Sequence, residues 1–393
     1  MAHTYDAIIV GGGPAGSAAA IALAGAGAKI LVLDRRTFPR DKLCAGLLTW
    51  KTMDALKRLT GLCAQELLAR GVVNHKASFY RIRHRNRILM QGEMFYPFHF
   101  ARRSALDAFL LDHAASLGAD IATGERAVHV DPLHARTTTS AGRTLKAAHI
   151  IGADGALSAT RAAFPVSGRA WRANLGAGLE IFLPRDCALL RDGVHQDLKA
   201  DFPTVYAGFI RAGYAWVFPH KDRVVIGLGG LNRASEGLFR QCFCAFLDFL
   251  GLPRTLAHEL RAHPLPYGNF LRNPVYGKAL LAGDAAGYVE TLFGEGVYYA
   301  LRSGELSGLA VAESLARGVD PAIPYIAGLS RDVFPELRYS RRLRSALFSS
   351  LRYGLAPILL FLRCGGNRLI EMVHGVRSFR LLLPRAQGPD AAA

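Results

Sequence analysis

An α/β chain, with a parallel sheet interrupted by an antiparallel one and closed by a helical C-terminal region, is predicted by three features of the sequence. The first is a βαβ unit in the opening 34 residues. Ala7-Ile8-Ile9-Val10 is an apolar run of strand length, Gly11 to Pro14 break it, an alanine-rich stretch to about Ala26 favours helix, and Lys29 to Leu33 returns to strand character. The second is a pair of later apolar runs, His149-Ile150-Ile151-Gly152 and Ala279-Leu280-Leu281-Ala282, each running into a turn that holds an aspartate, Asp154 or Asp284. Buried parallel strands have this continuous apolar character. The third is the aromatic alternation of residues 78–100, with strand-like pieces such as Val224 to Gly227 between 166 and 270, as in a sheet with two unlike faces. Helices are expected over about 104–116, near 235–250 and over about 296–317.

Composition sets the limits. With 393 residues, 51% hydrophobic and 20% charged, the chain can bury a sizeable core, which excludes a disordered or fibrous protein. Basic residues outnumber acidic ones 48 to 31, a net +17 that points to an anionic partner: nucleic acid, an anionic membrane face or a phosphate-bearing substrate. The six cysteines (44, 63, 187, 242, 244 and 364) form no CxxC pair and no zinc-like spacing, so no metal site and a reducing cytoplasm are expected. Residues Ala7 to Ala28 carry no charge, yet Gly11, Gly12, Gly13 and Pro14 interrupt them and no basic segment leads in, so a signal peptide is not predicted. Elsewhere the longest strongly apolar uncharged stretch, Tyr353 to Leu362, is too short to span a bilayer.

The turn Gly11-Gly12-Gly13-Pro14-Ala15-Gly16 supplies G-x-G-x-x-G between strand and helix, with Asp34 ending the next strand. Gly11 permits the tight turn, Gly13 lets backbone approach a pyrophosphate, and Gly16 allows close helix–strand packing. Pro14 and Ala15 open a helix whose N–H groups and dipole face the phosphates, while Asp34 is placed to accept from the adenosine ribose. Arg35, and less so Arg36, are candidates to steady a phosphate. Together these features predict dinucleotide binding.

Three further segments select the dinucleotide. Leu280-Leu281-Ala282-Gly283-Asp284-Ala285-Ala286-Gly287, Arg103-Ser104-Ala105-Leu106-Asp107 and Gly152-Ala153-Asp154-Gly155-Ala156-Leu157-Ser158-Ala159-Thr160-Arg161 resemble, in order, the GDAAG, R-x-x-F-D and DG motifs of the flavoprotein superfamily that includes p-hydroxybenzoate hydroxylase-like monooxygenases and geranylgeranyl reductases. The resemblance implies FAD, with Asp284 on the ribityl chain and Gly283, Arg103, Asp154 and Gly155 in the cofactor site. It implies a Rossmann-type FAD-binding domain over 1–75, 101–165 and 271–330, an antiparallel-sheet substrate domain over 76–100 and 166–270, and a basic helical C-terminal region over 331–393. Gly227-Leu228-Gly229-Gly230 lacks the third glycine and the helix of a second fingerprint.

The branch is indicated by three more resemblances to the geranylgeranyl reductase family. Gly294-Glu295-Gly296-Val297 opens a helix pattern and resembles its GEGI run, which implies backbone donors beside the flavin, where a reduced ring gathers negative charge. Tyr214-Ala215-Trp216-Val217-Phe218-Pro219 resembles Y-x-W-x-F-P, a motif that lines the prenyl cavity there; alternation puts Tyr214, Trp216 and Phe218 on one strand face. Asp41-Lys42-Leu43-Cys44-Ala45-Gly46-Leu47 resembles K-x-C-G-G, with Cys44, Ala45 and Gly46 near the flavin. The family often has Pro where this chain has Thr291, which is assigned with the substrate.

The implied reaction is reduction of C=C bonds in an isoprenoid chain on a lipid, a diphosphate or a quinone, with Cys44, Glu295 and Tyr214 as candidates to assist. A monooxygenase or halogenase on the same scaffold and a non-enzymatic prenyl-lipid carrier are the alternatives. The residues leave the external reductant open among NAD(P)H, ferredoxin and a quinol, and with it an electron-donor protein. Arg81, Arg83, Arg85 and Arg87 recur every second residue, giving either a four-guanidinium face for an anion or a charged, solvated edge strand. Residues 331–385 hold eleven Arg, no Lys and three acids; Arg341, Arg342, Arg344 and Arg363 flank apolar Leu347–Leu362, fitting either a helical cap or helices at the inner membrane face. Nucleic acid is not expected, because these arginines lie in no recognition motif.

Overall fold

The computed structural model describes residues 5–235, 237–350 and 365–380. Its first sheet runs, in spatial order, Val275–Tyr276, Ala279–Leu281, Thr144–Gly152, Tyr5–Val10, Ile30–Asp34 and Asp120–Thr123. Every neighbouring pair is parallel except the first. The βαβ register sets Ala7 opposite Ile30 on one side and His149 on the other. Residues Ile30 to Asp34 are all buried, which explains their unbroken apolar character before Asp34. Against the other half of Thr144–Gly152 lie the antiparallel strands Arg136–Thr139 and Ala127–Asp131.

The helix Pro14–Gly25 lies against the long helix Val297–Arg317, and this seam explains the small residues in both. A Cβ on Gly304 would sit 2.0 Å from the Ala15 carbonyl oxygen, and one on Gly308 would sit 2.6 Å from that of Ala19. Only glycine permits so close a crossing, which brings the two helices and the turns before them into one unit.

The second sheet runs Arg261–Leu265, Gly176–Pro184, Arg223–Leu231, Gly213–Pro219, Thr204–Ala207, His75–His84, Arg87–Phe100 and Leu47–Leu48. It is antiparallel except where Thr204–Ala207 meets His75–His84. Alternation divides its residues cleanly. One face, with Ile181, Tyr206, Val217 and Ile226, packs under Phe243 and Phe246 of the helix Phe239–Phe249. The other carries Trp216, Phe218 and Val225 toward Phe98, Phe100 and the C-terminal helix Asn367–His374, through Ile370 and Val373.

Both readings of the alternating arginines are corrected. The strand His75–His84 is interior, paired on both sides, so it is no edge. Arg81 and Arg83 point into the protein onto Asp197, at 2.5 and 2.9 Å, where the buried Tyr206 hydroxyl also donates to that carboxylate at 2.5 Å. Arg85 occupies the hairpin turn with φ +48° and Arg87 begins the next strand, so four guanidinium groups never share a face. In the basic C-terminal region Arg341 and Arg342 are exposed, but Arg344 is buried and donates to the Tyr267 carbonyl at 3.1 Å. Residues 351–362 of the apolar stretch, and Arg363 after them, lie outside the described residues. Among the described residues no helix is long and apolar enough to cross a membrane.

Candidate active site

The carboxyl ends of the parallel strands converge on one cradle, where an open α/β sheet binds its ligand. Gly11 has φ +107°, and a Cβ there would lie 2.4 Å from the Ala153 carbonyl oxygen; one on Gly16 would lie 1.7 Å from that of Gly11. Pro14 opens the helix, whose first internal bond is Ser17 N–H to Gly13 O at 2.9 Å, so the preceding N–H groups face outward from its end. Asp34 accepts from the Gly12 and Arg36 N–H groups, each at 2.8 Å, which fixes its carboxylate while leaving lone pairs for ribose hydroxyls. Arg35 is exposed beside it. The cradle therefore fits a dinucleotide cofactor.

The other turns are bound to this one. Asp154 accepts from Ser158 Oγ at 2.5 Å and from Ala159 N at 2.7 Å, capping the short helix Ala159–Ala162. Arg161 then stacks on Trp171 and donates to the carbonyls of Ala156 and Ala285, joining the Asp154-Gly155 turn to the Gly283-Asp284 turn. Gly283, at φ +58°, donates its N–H to Ser303 Oγ at 2.9 Å, which presents Asp284 beside Gly296. Arg103 grips Asp107 through two bonds of 2.7 and 2.8 Å, and Arg40 joins the same carboxylate at 3.2 Å with its guanidinium 3.4 Å from where a Gly13 Cβ would be.

Where the two sheets meet, the loop Asp41–Gly46 faces the loop Glu290–Gly296. Lys42, Cys44, Arg103, Phe182, Arg223 and Arg261 line a pocket of about 130 Å³. Gly46 must be glycine: at φ +77° a Cβ would meet the Ala101 carbonyl at 2.2 Å and the His220 ring at 2.8 Å. His220 donates from Nε2 to the Ala45 carbonyl at 2.9 Å, fastening the Cys44 loop to the second sheet, and burial pushes its pKa down to about 4. On the facing loop, buried Glu290 accepts from the N–H groups of Leu292 (2.5 Å) and Phe293 (2.7 Å), which curls Thr291 inward against Ser340. Glu295 pairs with the buried Lys51 ammonium at 2.5 Å and accepts from Thr49 Oγ1 at 2.6 Å. Tyr214 donates its hydroxyl to the Phe293 carbonyl, and burial holds its pKa well above the usual phenol value.

The aromatic face of the second sheet, which packs toward Phe98, Phe100 and the C-terminal helix, forms the remaining wall. Tyr214, Trp216 and Phe218 alternate along one strand as expected, and the strand beside it supplies Gly229, Gly227 and Val225 directly opposite them. A Cβ on Gly227 would lie 2.3 Å from the Trp216 ring, so the indole lies flat over that glycine. Beyond Gly227, in the same row, stands Glu180.

The structure thus brings Cys44, Tyr214, Glu295, Asp284 and the Gly11–Gly16 turn into one region between the sheets. Sequence reasoning missed Arg40, Lys51, Glu180 and His220. Of these, Glu180 carried a visible signal, as the sole charge in the apolar strand Gly176–Pro184. Lys51 and His220 become legible only when distant loops meet.

Comparison with known proteins agrees with this geometry. An FAD binding domain family model matches residues 4–179. Over 342 residues the chain is 30% identical to the menaquinone reductase of Mycobacterium tuberculosis, covering 79% of this chain and 78% of that protein. It is 28% identical to the geranylgeranyl diphosphate reductase of Synechocystis over 337 residues, or 79% of this chain and 76% of that one. The crystal structure of a geranylgeranyl bacteriochlorophyll reductase-like protein from Thermoplasma acidophilum shares the fold, with a TM-score of 0.73 over 88% of each chain at 19% identity.

Proposed function

Because the chain belongs to the geranylgeranyl reductase family of FAD-dependent oxidoreductases, we propose that it reduces C=C bonds of an isoprenoid chain carried by a lipid, a diphosphate or a quinone. The observation that carries the reading is the wall of Tyr214, Trp216 and Phe218 opposite Gly229, Gly227 and Val225. It offers broad apolar faces, and the glycines at 227 and 229 make room for the Trp216 ring to lie flat in that wall. When bound and reduced, FAD supplies an electron pair and one hydrogen. The protein's own residues bind the cofactor at the Gly11 turn, Asp34 and Asp284, hold the alkene against the aromatic wall and exclude water.

An unactivated alkene accepts electrons poorly, so charge developing on carbon needs the π faces of Trp216 and Phe218. NAD(P)H, ferredoxin or a quinol would reduce the cofactor from outside, the first by transient contact. The exposed Arg341 and Arg342 belong to the same proposal as contacts for an anionic membrane, tested by flotation with anionic vesicles. The decisive experiment is anaerobic turnover of the FAD-loaded protein, reduced chemically, with geranylgeranyl lipids, geranylgeranyl diphosphate and a polyprenyl quinone. A mass gain of two hydrogens per bond is expected. Oxygenated product formed through a substrate-dependent oxygen adduct in air would refute the reading in favour of a monooxygenase.

A further inference from the structure

The position of Glu180 carries an inference that rests on the reductase reading and deepens it. Two of the three candidates named from the sequence are engaged elsewhere, Glu295 in its ion pair with Lys51 and Tyr214 with its proton on the Phe293 carbonyl, while Cys44 Sγ accepts from the Gly46 N–H at 3.4 Å. Glu180 makes no ion pair among the described residues, although the Cys44 backbone N–H and the Trp216 indole stand close enough to favour its ionised form. It is 2% exposed, its Oε2 has no hydrogen-bond partner, and the neighbouring Trp216 Nε1 has none either. The three residues Glu180, Gly227 and Trp216 form one row across three strands, and with no side chain at Gly227 the indole lies over that glycine on the same face as the Glu180 carboxyl. A buried carboxyl with an oxygen left without a hydrogen bond is costly. Its position on the wall assigned to the substrate gives that cost a use.

We propose that Glu180 is the proton donor of the reaction. The C=C bond takes one hydrogen with two electrons from the reduced cofactor and one proton from the Glu180 carboxyl. Its π bond would be lost and two C–H bonds formed, with the two electrons and one hydrogen supplied by FAD when bound and reduced, and Glu180 would be left as a carboxylate. The groups facing that carboxylate are Lys42 and Cys44 from the loop after the second strand, Tyr214, and Arg223 and Arg261 from the flanking strands. Lys42, Arg223 and Arg261 also line the pocket between the sheets, so the cations that stabilise the ionised form stand on the route by which solvent returns the proton. Burial pushes the Glu180 pKa up to about 8, with Lys42 and then Arg223 pulling against it, so the group holds its proton at neutral pH.

The test compares wild type, Glu180→Gln and Glu180→Asp as FAD-loaded proteins. Infrared difference spectra across pH 5 to 10 report the carboxyl itself, without turnover: a protonated carboxyl band that titrates near pH 8 is expected in wild type and absent in Glu180→Gln. In anaerobic single turnover with a prenyl substrate, Glu180→Gln should lose about 100-fold or more in rate, the usual contribution of a positioned acid, and Glu180→Asp should recover part of it with a shifted pH profile. Flavin content and its reduction by dithionite should match wild type throughout. A Glu180→Gln protein that reduces the substrate at the wild-type rate and pH profile, or a wild type without the titrating band, overturns the assignment and leaves the reductase reading standing. A wild type that reduces no prenyl substrate, whatever its infrared spectrum, overturns the reading and the assignment with it.

Discussion

Gly304→Ala tests whether the helix seam positions the cofactor cradle. The added Cβ would lie 2.0 Å from the Ala15 carbonyl oxygen, 2.8 Å from its carbon and 2.9 Å from its Cα, all backbone atoms that cannot swing aside. Ordinary contact begins at 3.4 Å, so the helices Pro14–Gly25 and Val297–Arg317 must part by more than 1 Å. Overpacking of this kind costs about 1–3 kcal/mol. The better helix propensity of alanine offsets at most about 1 kcal/mol of that. The displacement falls at Ala15, inside the turn that meets the pyrophosphate, and on the helix that follows Gly294-Glu295-Gly296. Loss of about 1.4 kcal/mol of binding is tenfold in Kd, so FAD affinity should fall by at least about tenfold. Fluorescence titration of apoprotein with FAD measures this, and thermal unfolding of the apoprotein separates the packing cost. Gly25→Ala is the control, because no atom lies within 4 Å of its would-be Cβ. A Gly304→Ala protein with wild-type FAD affinity and unfolding temperature would refute the reasoning.

Lys51→Met strands Glu295 in a buried site and should destabilise by about 3–5 kcal/mol, as removal of one partner of a buried pair does, with Lys51→Met/Glu295→Gln recovering much of it; denaturant unfolding of the three proteins measures the coupling. Asp197→Asn leaves Arg81 and Arg83 facing a neutral amide and should cost a similar amount, yet leave the bound-flavin spectrum unchanged, because the cluster lies on the sheet face away from the cradle. For His220, whose folded pKa is depressed to about 4 against 6.5, the folded state binds fewer protons between those values. Its contribution is therefore complete above pH 6.5 and is lost as pH falls toward 4, by about 3 kcal/mol at 1.36 kcal/mol per unit; unfolding of His220→Gln between pH 4 and 7 should show a flatter slope.

The nucleotide half of the fold was legible because its residues serve local geometry. Gly11, Gly16 and Asp34 do their work within one βαβ unit, and the apolar runs at 149 and 279 are buried on both faces, which alternation cannot disguise. The second sheet was legible as strands but not as neighbours. Nothing in residues 81–87 says that Thr204–Ala207 pairs with His75–His84, and without that pairing the arginines read as exposed. Two-residue spacing shows which side chains share a face, while tertiary pairing decides whether that face is wet. The site followed the same division. The aromatic alternation of Tyr214, Trp216 and Phe218 was visible along one strand, whereas the row from Trp216 through Gly227 to Glu180 runs across strands. Glycines at 227 and 229, which fail as a nucleotide fingerprint, are explained by what lies over them.

The net charge of +17 has a similar resolution, and it bears on partner choice. Asp107 is shared by Arg40 and Arg103, and Asp197 by Arg81 and Arg83, so two buried carboxylates each hold two guanidinium groups. Arg161 and Arg344 donate to backbone carbonyls, of Ala156 and Ala285 in one case and Tyr267 in the other. Guanidinium groups used this way offset carbonyl desolvation where loops must be joined, and they need no counter-anion from outside. Formal charge counts them as equal to surface arginines. The cations available to a partner are therefore those that remain exposed, such as Arg341 and Arg342, and those around the pocket between the sheets, Lys42, Arg223 and Arg261. The first pair is what the membrane proposal would rest on, and the second group surrounds the carboxylate that Glu180 would become on giving up its proton.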